Sequence, residues 1–211
     1  MKRDSKTIAV LAVFTAMVML LEFFPIVGIT DLKFNPGGTP FTIDWTGIPL
    51  VILFLGLGFI ISLWATTWMF VAIAYRNPAG AVFKLLAESF TLLGLLIARE
   101  VGNRLNAGNR SKVLLYLIFG IACRAIGMFF MNIILLPVLY PVWYTPEAAL
   151  AASTILVPWN GVQAVINIVA GIFFFERIPK ELAASVGFGE SSTSSASTVQ
   201  ELSEVEEEVP S

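Results

Sequence analysis

The sequence predicts an all-α membrane protein with six transmembrane helices, for three reasons. Its 211 residues are 57% hydrophobic and 13% charged, whereas soluble globular domains carry about 25% charged residues. Several apolar stretches approach the roughly 20 residues that a helix needs to cross a hydrocarbon core of about 30 Å. Stretches 8–24 and 113–136 are nearly continuous rather than alternating, which argues against a β-barrel.

The number of spans depends on the apolar stretch 48–75. It is too long for one level crossing, and Gly56 and Gly58 lie near its middle, so we expect two short spans with a hinge at these glycines. The other predicted helices cover residues 7–26, 79–97, 113–136 and 154–175.

The basic residues predict the orientation of these helices, because Lys and Arg favour cytoplasmic loops. The densest basic loop contains Arg99, Arg104, Arg110 and Lys112. Six spans place this loop and both termini in the cytoplasm. The loop 140–152 has no Lys or Arg and is expected outside, where Tyr140, Trp143 and Tyr144 suit an interfacial aromatic belt.

Two regions are predicted along the chain. Residues 1–182 form the membrane domain, and Lys2, Arg3 and Lys6 precede its first helix. We read this start as a membrane helix because no small-residue cleavage site of a signal peptide follows it. Residues 183–211 are Ser-rich and acidic, a composition that predicts a disordered cytoplasmic tail.

Composition also excludes several kinds of functional site. The chain has no histidine and a single cysteine, Cys123, which removes His-ligated metal sites, cysteine clusters and His-based triads. It has no GxxxxGK[ST] phosphate loop and no basic nucleic-acid footprint. We therefore expect no enzyme activity, metal, cofactor or nucleic acid partner, and any ATP-driven role requires another subunit.

Five ionisable residues within or near the predicted spans need an explanation, because charges inside a membrane are costly. Glu22 and Lys84 lie at similar shallow depths from the outer face, and Glu88 and Arg124 both lie roughly 12 Å deep at 1.5 Å per residue. Two ion pairs are therefore expected. They either hold the bundle in register or belong to a polar pocket that opens to the outside. The fifth residue, Glu176, lies near a boundary.

The last predicted helix carries a polar stripe. Asn160, Gln163 and Asn167 recur on one helical face, which Gly171 continues. Asn132 on the preceding helix falls at about the same depth as Asn160. Amides in lipid need partners, so the stripe should face the bundle interior. There it hydrogen-bonds neighbouring helices or reads a heterocycle with alternating carbonyl and N–H groups.

The first helix has a face of small residues, Ala9, Ala12 and Ala16. Small side chains let another helix approach closely. The partner is either a helix of the same bundle or a helix of another subunit.

Several segments in order resemble the substrate-binding S components of energy-coupling factor transporters. Residues 43–49 read IDWTGIP and are similar to the DFSDIPAL segment of that family. Asn132 followed by LPVLY (136–140) and PWN (158–160) resembles the N...LPLY...PFN pattern of the riboflavin-specific S component. The likeness spans most of residues 7–180.

The resemblance implies a six-helix subunit of the cell membrane that captures a vitamin from outside and has no catalytic activity of its own. The helix 1 alanines would dock onto a transmembrane coupling subunit driven by two ATPase subunits. Asparagines matching Asn132 and Asn160 bind the flavin ring edge in the riboflavin member, where the flavin is a transported substrate and not a cofactor. The candidate substrate-binding residues are Asn132, Asn160, Gln163, Lys84, Glu88 and Asp44.

This sequence departs from the family pattern at Gln163, where a lysine is typical, and at Gly47, where an aspartate is usual. The vitamin therefore stays open between riboflavin, a phosphorylated flavin and another vitamin.

Two other functions remain: an intramembrane enzyme that uses Glu88 or Glu22 as general acid or base, which needs a second catalytic group, and a structural or assembly subunit of a larger membrane complex.

Overall fold

Seven α-helices and one β-hairpin make up the computed structural model, which describes residues 5–26, 28–185 and 188. Of the predicted tail, residues 183–185 end the last helix, and the remainder except Phe188 lies outside the described residues. The helices are α1 (Ser5–Phe23), α2 (Gly47–Leu57), α3 (Phe59–Ala74), α4 (Pro78–Arg104), α5 (Asn109–Leu139), α6 (Pro146–Glu176) and α7 (Lys180–Ser185). The hairpin joins β1 (Asp31–Phe34) to β2 (Phe41–Asp44).

Four helices, α1, α4, α5 and α6, are long and apolar enough to cross a membrane. Large apolar side chains on the outer faces of the bundle are exposed, among them Leu20, Trp64, Ile126 and Val169. A water-soluble monomer rarely exposes so much contiguous apolar surface, so the chain has the surface of a membrane protein. The other two main helices, α2 and α3, are apolar but shorter.

The predicted hinge in the stretch 48–75 is confirmed. Gly58 separates α2 from α3 with φ 90° and ψ 178°, a conformation that side chains with a Cβ rarely adopt. Its N–H group donates to the Phe54 carbonyl and ends α2. Helix α2 is buried along nearly its whole length and packs against α1, α3 and α6.

The polar loop after α1 folds into the hairpin, in which Asp31 pairs with Asp44 and Phe34 pairs with Phe41. The Phe34 ring also meets Trp159 of α6 edge-on, with ring centroids 4.6 Å apart. The hairpin is thereby fixed against α6. We expected only a loop here, because each strand has four residues and Gly and Pro signals dominate the segment.

Helix α6 begins at Pro146, well before the predicted start at residue 154. The Thr145 hydroxyl accepts a hydrogen bond from the Ala148 N–H at 3.3 Å, and proline is favoured in the first helical turn. The predicted loop 140–152 is therefore shorter than expected, because its second half is helical.

Successive helices alternate in direction. The C-terminal ends of α1, α3 and α5 and the N-terminal ends of α2, α4 and α6 gather around the hairpin, where residues near these ends line one cavity. We call this the hairpin end of the bundle. The basic residues between α4 and α5 lie at the opposite end.

Candidate functional site

An open cavity of about 1160 Å³ lies at the hairpin end. The hairpin forms one wall, and α1, α3, α4, α5 and α6 form the others. Apolar side chains such as Met128, Leu136 and Leu156 lie beside charged and amide side chains in its lining. The cavity thus offers apolar surface and a few convergent polar groups, the usual make-up of a small-molecule site.

Four of the six candidate substrate-binding residues line this cavity: Asn132, Asn160, Lys84 and Asp44. Asn160 donates from Nδ2 to the Leu156 carbonyl at 3.0 Å, and no described residue donates to its side-chain oxygen. The side-chain amide of Asn132 makes no hydrogen bond with any other described residue. Both side chains are largely shielded from solvent, so their amide groups can bind a ligand inside the cavity.

Lys84 holds together three elements at the cavity wall. Its Nζ lies 2.5 Å from Glu22 Oε1 on α1 and 2.5 Å from Asp44 Oδ2 on β2, which confirms the expected Glu22–Lys84 pair. Arg76 Nη2 approaches Glu22 Oε2 at 3.5 Å. Burial alone would raise the pKa of the Asp44 carboxyl, but the Lys84 ammonium holds that pKa below its usual range. The Lys84 charge is therefore fully compensated.

The second expected pair, Glu88 with Arg124, is also confirmed. Arg124 Nη1 donates to Glu88 Oε1 at 2.7 Å and to Thr91 Oγ1 at 3.1 Å. Asn167 Nδ2 lies 3.2 Å from each Glu88 oxygen. The Glu88 side chain is 1% exposed and does not line the cavity, so its carboxylate serves this buried network.

Gln163 also lies behind the cavity wall. Its Nε2 donates to the Asp44 carbonyl at 2.6 Å, and its Oε1 accepts from the Asp44 N–H at 3.2 Å. Nε2 also donates to Asn167 Oδ1 at 2.9 Å. The stripe of Asn160, Gln163 and Asn167 faces the interior, as expected. The structure places Gln163 as an anchor of the hairpin, and Gln163 is not among the residues that line the cavity.

The network also explains the glycine at position 47. A Cβ atom on Gly47 would overlap the Asn167 amide and crowd the Glu88 carboxylate. An aspartate there would also bring a second negative charge against Glu88. The close packing of Asn167 and Glu88 against position 47 thus favours glycine at the start of α2.

Several lining residues were missed as site residues. Phe83 and Tyr140 stack with their rings 6.4 Å apart and nearly parallel, and both line the cavity, as do Arg76 and Arg124. The sequence predicts Tyr140 at the membrane boundary and Arg124 in an ion pair that either holds the bundle in register or belongs to a polar pocket, and neither residue is among the candidate substrate-binding residues. The aromatic pair joins α4 to the residue that directly follows α5, so no local sequence signal reveals it.

The small-residue face of α1 lies on the surface. Ala9, Ala12 and Ala16 are all exposed. A groove of about 550 Å³ runs beside this face between α1 and α3, with Trp64 and Trp68 on its far side. No described helix of this chain packs onto these alanines.

Within the part of the chain that the structure describes, no cluster of three metal-ligating side chains occurs. Glu22 and Glu88, the two carboxylates considered for general acid–base chemistry, each form a salt bridge with a basic side chain. Neither the protein-family models nor the curated protein sequences compared with this chain give a match.

Proposed function

We propose that this protein is the substrate-binding S component of an energy-coupling factor importer and that it captures riboflavin or a related flavin from outside the cell. One observation carries the proposal. The open cavity at the hairpin end presents the side-chain amide of Asn132 and the side-chain oxygen of Asn160, which have no hydrogen-bond partner among the described residues, beside apolar and aromatic walls. These are the two asparagines that the resemblance assigns to the flavin ring edge.

The cavity suits a planar heterocycle in both size and chemistry. Its volume of about 1160 Å³ slightly exceeds the roughly 300–1,000 Å³ of small-molecule pockets, so the whole vitamin and its polyol chain can fit. Each amide both donates and accepts hydrogen bonds, as the alternating carbonyl and N–H groups of a flavin require. Met128, Leu136 and Leu156 can cover the ring faces.

The distribution of cations supports an orientation with the cavity outside. Arg104, Arg110 and Lys112 lie around the turn from α4 to α5, at the end opposite the cavity, and Lys and Arg favour the cytoplasm. Six spans with both termini inside follow if α2 and α3 each cross. Helix α2 rises only about 16 Å, but its burial within the bundle shields its ends from lipid.

Cysteine labelling tests this orientation on a variant in which Cys123 is replaced by serine. Trp143→Cys, at the hairpin end, should react with an impermeant maleimide on intact cells. Gly108→Cys, in the basic turn, should react only after permeabilisation. Reversed labelling would contradict the proposed topology.

The exposed alanine face of α1 supports docking onto a transmembrane coupling subunit that works with two ATPase subunits. Close helix approach needs small side chains. Ala16→Leu should therefore abolish energised uptake while leaving riboflavin binding by the purified protein unchanged. Equal uptake by the variant and the parent would place the docking surface elsewhere.

Riboflavin binding by the purified protein tests the function itself. We expect quenching of riboflavin fluorescence on titration with the protein, and a yellow chromophore that co-purifies from riboflavin-containing medium. Thiamine, biotin and pantothenate should not compete. Absence of riboflavin binding, together with binding of one of these vitamins, would reassign the substrate within the transporter class. Absence of binding to any of them would overturn the proposal.

A further inference from the structure

We infer that Arg124 contacts the ligand and selects an uncharged hydrogen-bond acceptor such as a ring carbonyl. This rests on the proposed function, because the ligand is the molecule that the cavity captures. The assignment follows because Arg124 pairs with Glu88 through one nitrogen and also lines the cavity.

One part of the guanidinium is already used. Arg124 Nη1 donates to Glu88 and Thr91, so the positive charge is compensated. The other terminal nitrogen, Nη2, donates to no described residue, and the Arg124 side chain is only 6% exposed. A buried donor without a partner is costly. Arg124 lines the cavity, so an acceptor on a ligand there can satisfy this donor.

The position of Arg124 on α5 also suits ligand contact. Arg124, Met128 and Asn132 follow one another at intervals of four residues, which places them on one helical face, and all three line the cavity. Eight residues correspond to a rise of roughly 12 Å. Arg124 therefore lies deep in the cavity while Asn132 lies nearer the rim, and an extended heterocycle along α5 can contact both.

The charges of the cavity point to a neutral ligand. In the described part of the chain, each cation that lines the cavity has a carboxylate within salt-bridge distance. The pairs are Lys33–Asp31 at 3.2 Å, Arg76–Glu22 at 3.5 Å, Lys84 with Glu22 and Asp44 at 2.5 Å, and Arg124–Glu88 at 2.7 Å. A phosphate group would find no uncompensated positive charge here. The cavity therefore favours the free vitamin over its phosphate ester.

The variant Arg124→Lys separates the two uses of the side chain. The lysine ammonium can still pair with Glu88, but the Nη2 donor is lost. We expect riboflavin affinity to fall about 5-fold to 150-fold, the effect of one unsatisfied buried polar group, with little change in thermal stability. Arg99→Lys is the matched control, because Arg99 lies over the Phe54 ring and does not line the cavity.

Four outcomes decide the inference. Folded Arg124→Lys protein that binds riboflavin as tightly as the parent would overturn it. If Arg124→Lys does not fold, the charge-neutral double variant Glu88→Gln with Arg124→Met replaces it and should show the same loss of affinity. Tighter binding of riboflavin 5′-phosphate than of riboflavin would contradict the neutral cavity. A parent that binds no riboflavin would remove the proposed function and this inference with it, whereas the first outcome removes the inference alone.

Discussion

The two halves of the bundle differ in what fills their interiors. In α1–α3 the buried side chains are mostly apolar, and the buried hydroxyls of Ser62 and Thr66 bond to carbonyls of their own helix. In α4–α6 the interior contains an ion pair between Glu88 and Arg124. The same half has four buried amide side chains: Asn132, Asn160, Gln163 and Asn167. Polar groups are concentrated in the half that supplies most of the cavity wall.

This difference indicates a division of labour. In a membrane the hydrophobic effect contributes little to helix packing, so the apolar half is held together by close van der Waals contact. Its outer face is available for another subunit. Under the proposed function, the polar half forms the recognition surface. Among the described residues, three polar contacts join the halves at the hairpin end: Glu22 with Lys84, the Asp44 carboxylate with Lys84, and the Asp44 backbone with Gln163.

The largest stability effect is expected in the polar half. Glu88→Leu leaves Arg124 buried without its carboxylate, which should reduce the free energy of unfolding by about 3–5 kcal/mol. The double variant Glu88→Leu with Arg124→Leu should recover most of this loss, because no unpaired charge remains. Thermal unfolding in detergent micelles measures both. A double variant no more stable than Glu88→Leu would show that the pair does not act as a unit.

In the apolar half, Leu53→Ala should reduce stability by about 2–4 kcal/mol through the cavity that it creates. Leu53 is fully buried on α2 and does not line the ligand cavity. Riboflavin affinity of the folded variant should therefore match the parent. A matched Leu136→Ala variant on the cavity wall should instead weaken binding. Equal losses of affinity in both would erase the distinction between the two halves.

A smaller effect on stability is expected when a contact that joins the two halves is removed. Gln163→Leu removes both hydrogen bonds to the Asp44 backbone, which should cost about 1–2 kcal/mol and loosen the hairpin wall of the cavity. We expect faster proteolysis between residues 28 and 46 and weaker riboflavin binding. Val162→Leu is the control, because Val162 is exposed on the same helix and the change leaves the hydrogen bonds of Gln163 in place. Unchanged proteolysis in Gln163→Leu would show that this anchor is dispensable.

Features with a local or depth-based signal could be predicted from the sequence. The break at Gly58 follows from a glycine in an overlong apolar stretch. The pairs Glu22–Lys84 and Glu88–Arg124 follow from counting depth along helices, because a buried charge in a membrane needs a partner at its own level. The interior face of Asn160 and Gln163 follows from helical periodicity.

Features that depend on tertiary approach could not be predicted. Gln163 was expected to contact ligand, but its partner is the backbone of Asp44, 119 residues away. A contact with the backbone cannot be predicted from residue types, because almost every residue offers the same backbone groups. The preference for glycine at position 47 likewise arises only because Asn167 and Glu88 pack against it. Sequence thus predicts the depth of the polar groups along the helices, and tertiary packing decides which of them face the cavity.

The central claim is that Asn132 and Asn160 bind a flavin in the cavity at the hairpin end, and riboflavin titration of the two alanine variants tests it most directly. Each variant removes one buried partner of the ligand, so affinity should fall about 5-fold to 150-fold while thermal stability stays near that of the parent. Fluorescence quenching on purified protein gives the dissociation constants. Unchanged affinity in both Asn132→Ala and Asn160→Ala would contradict the account.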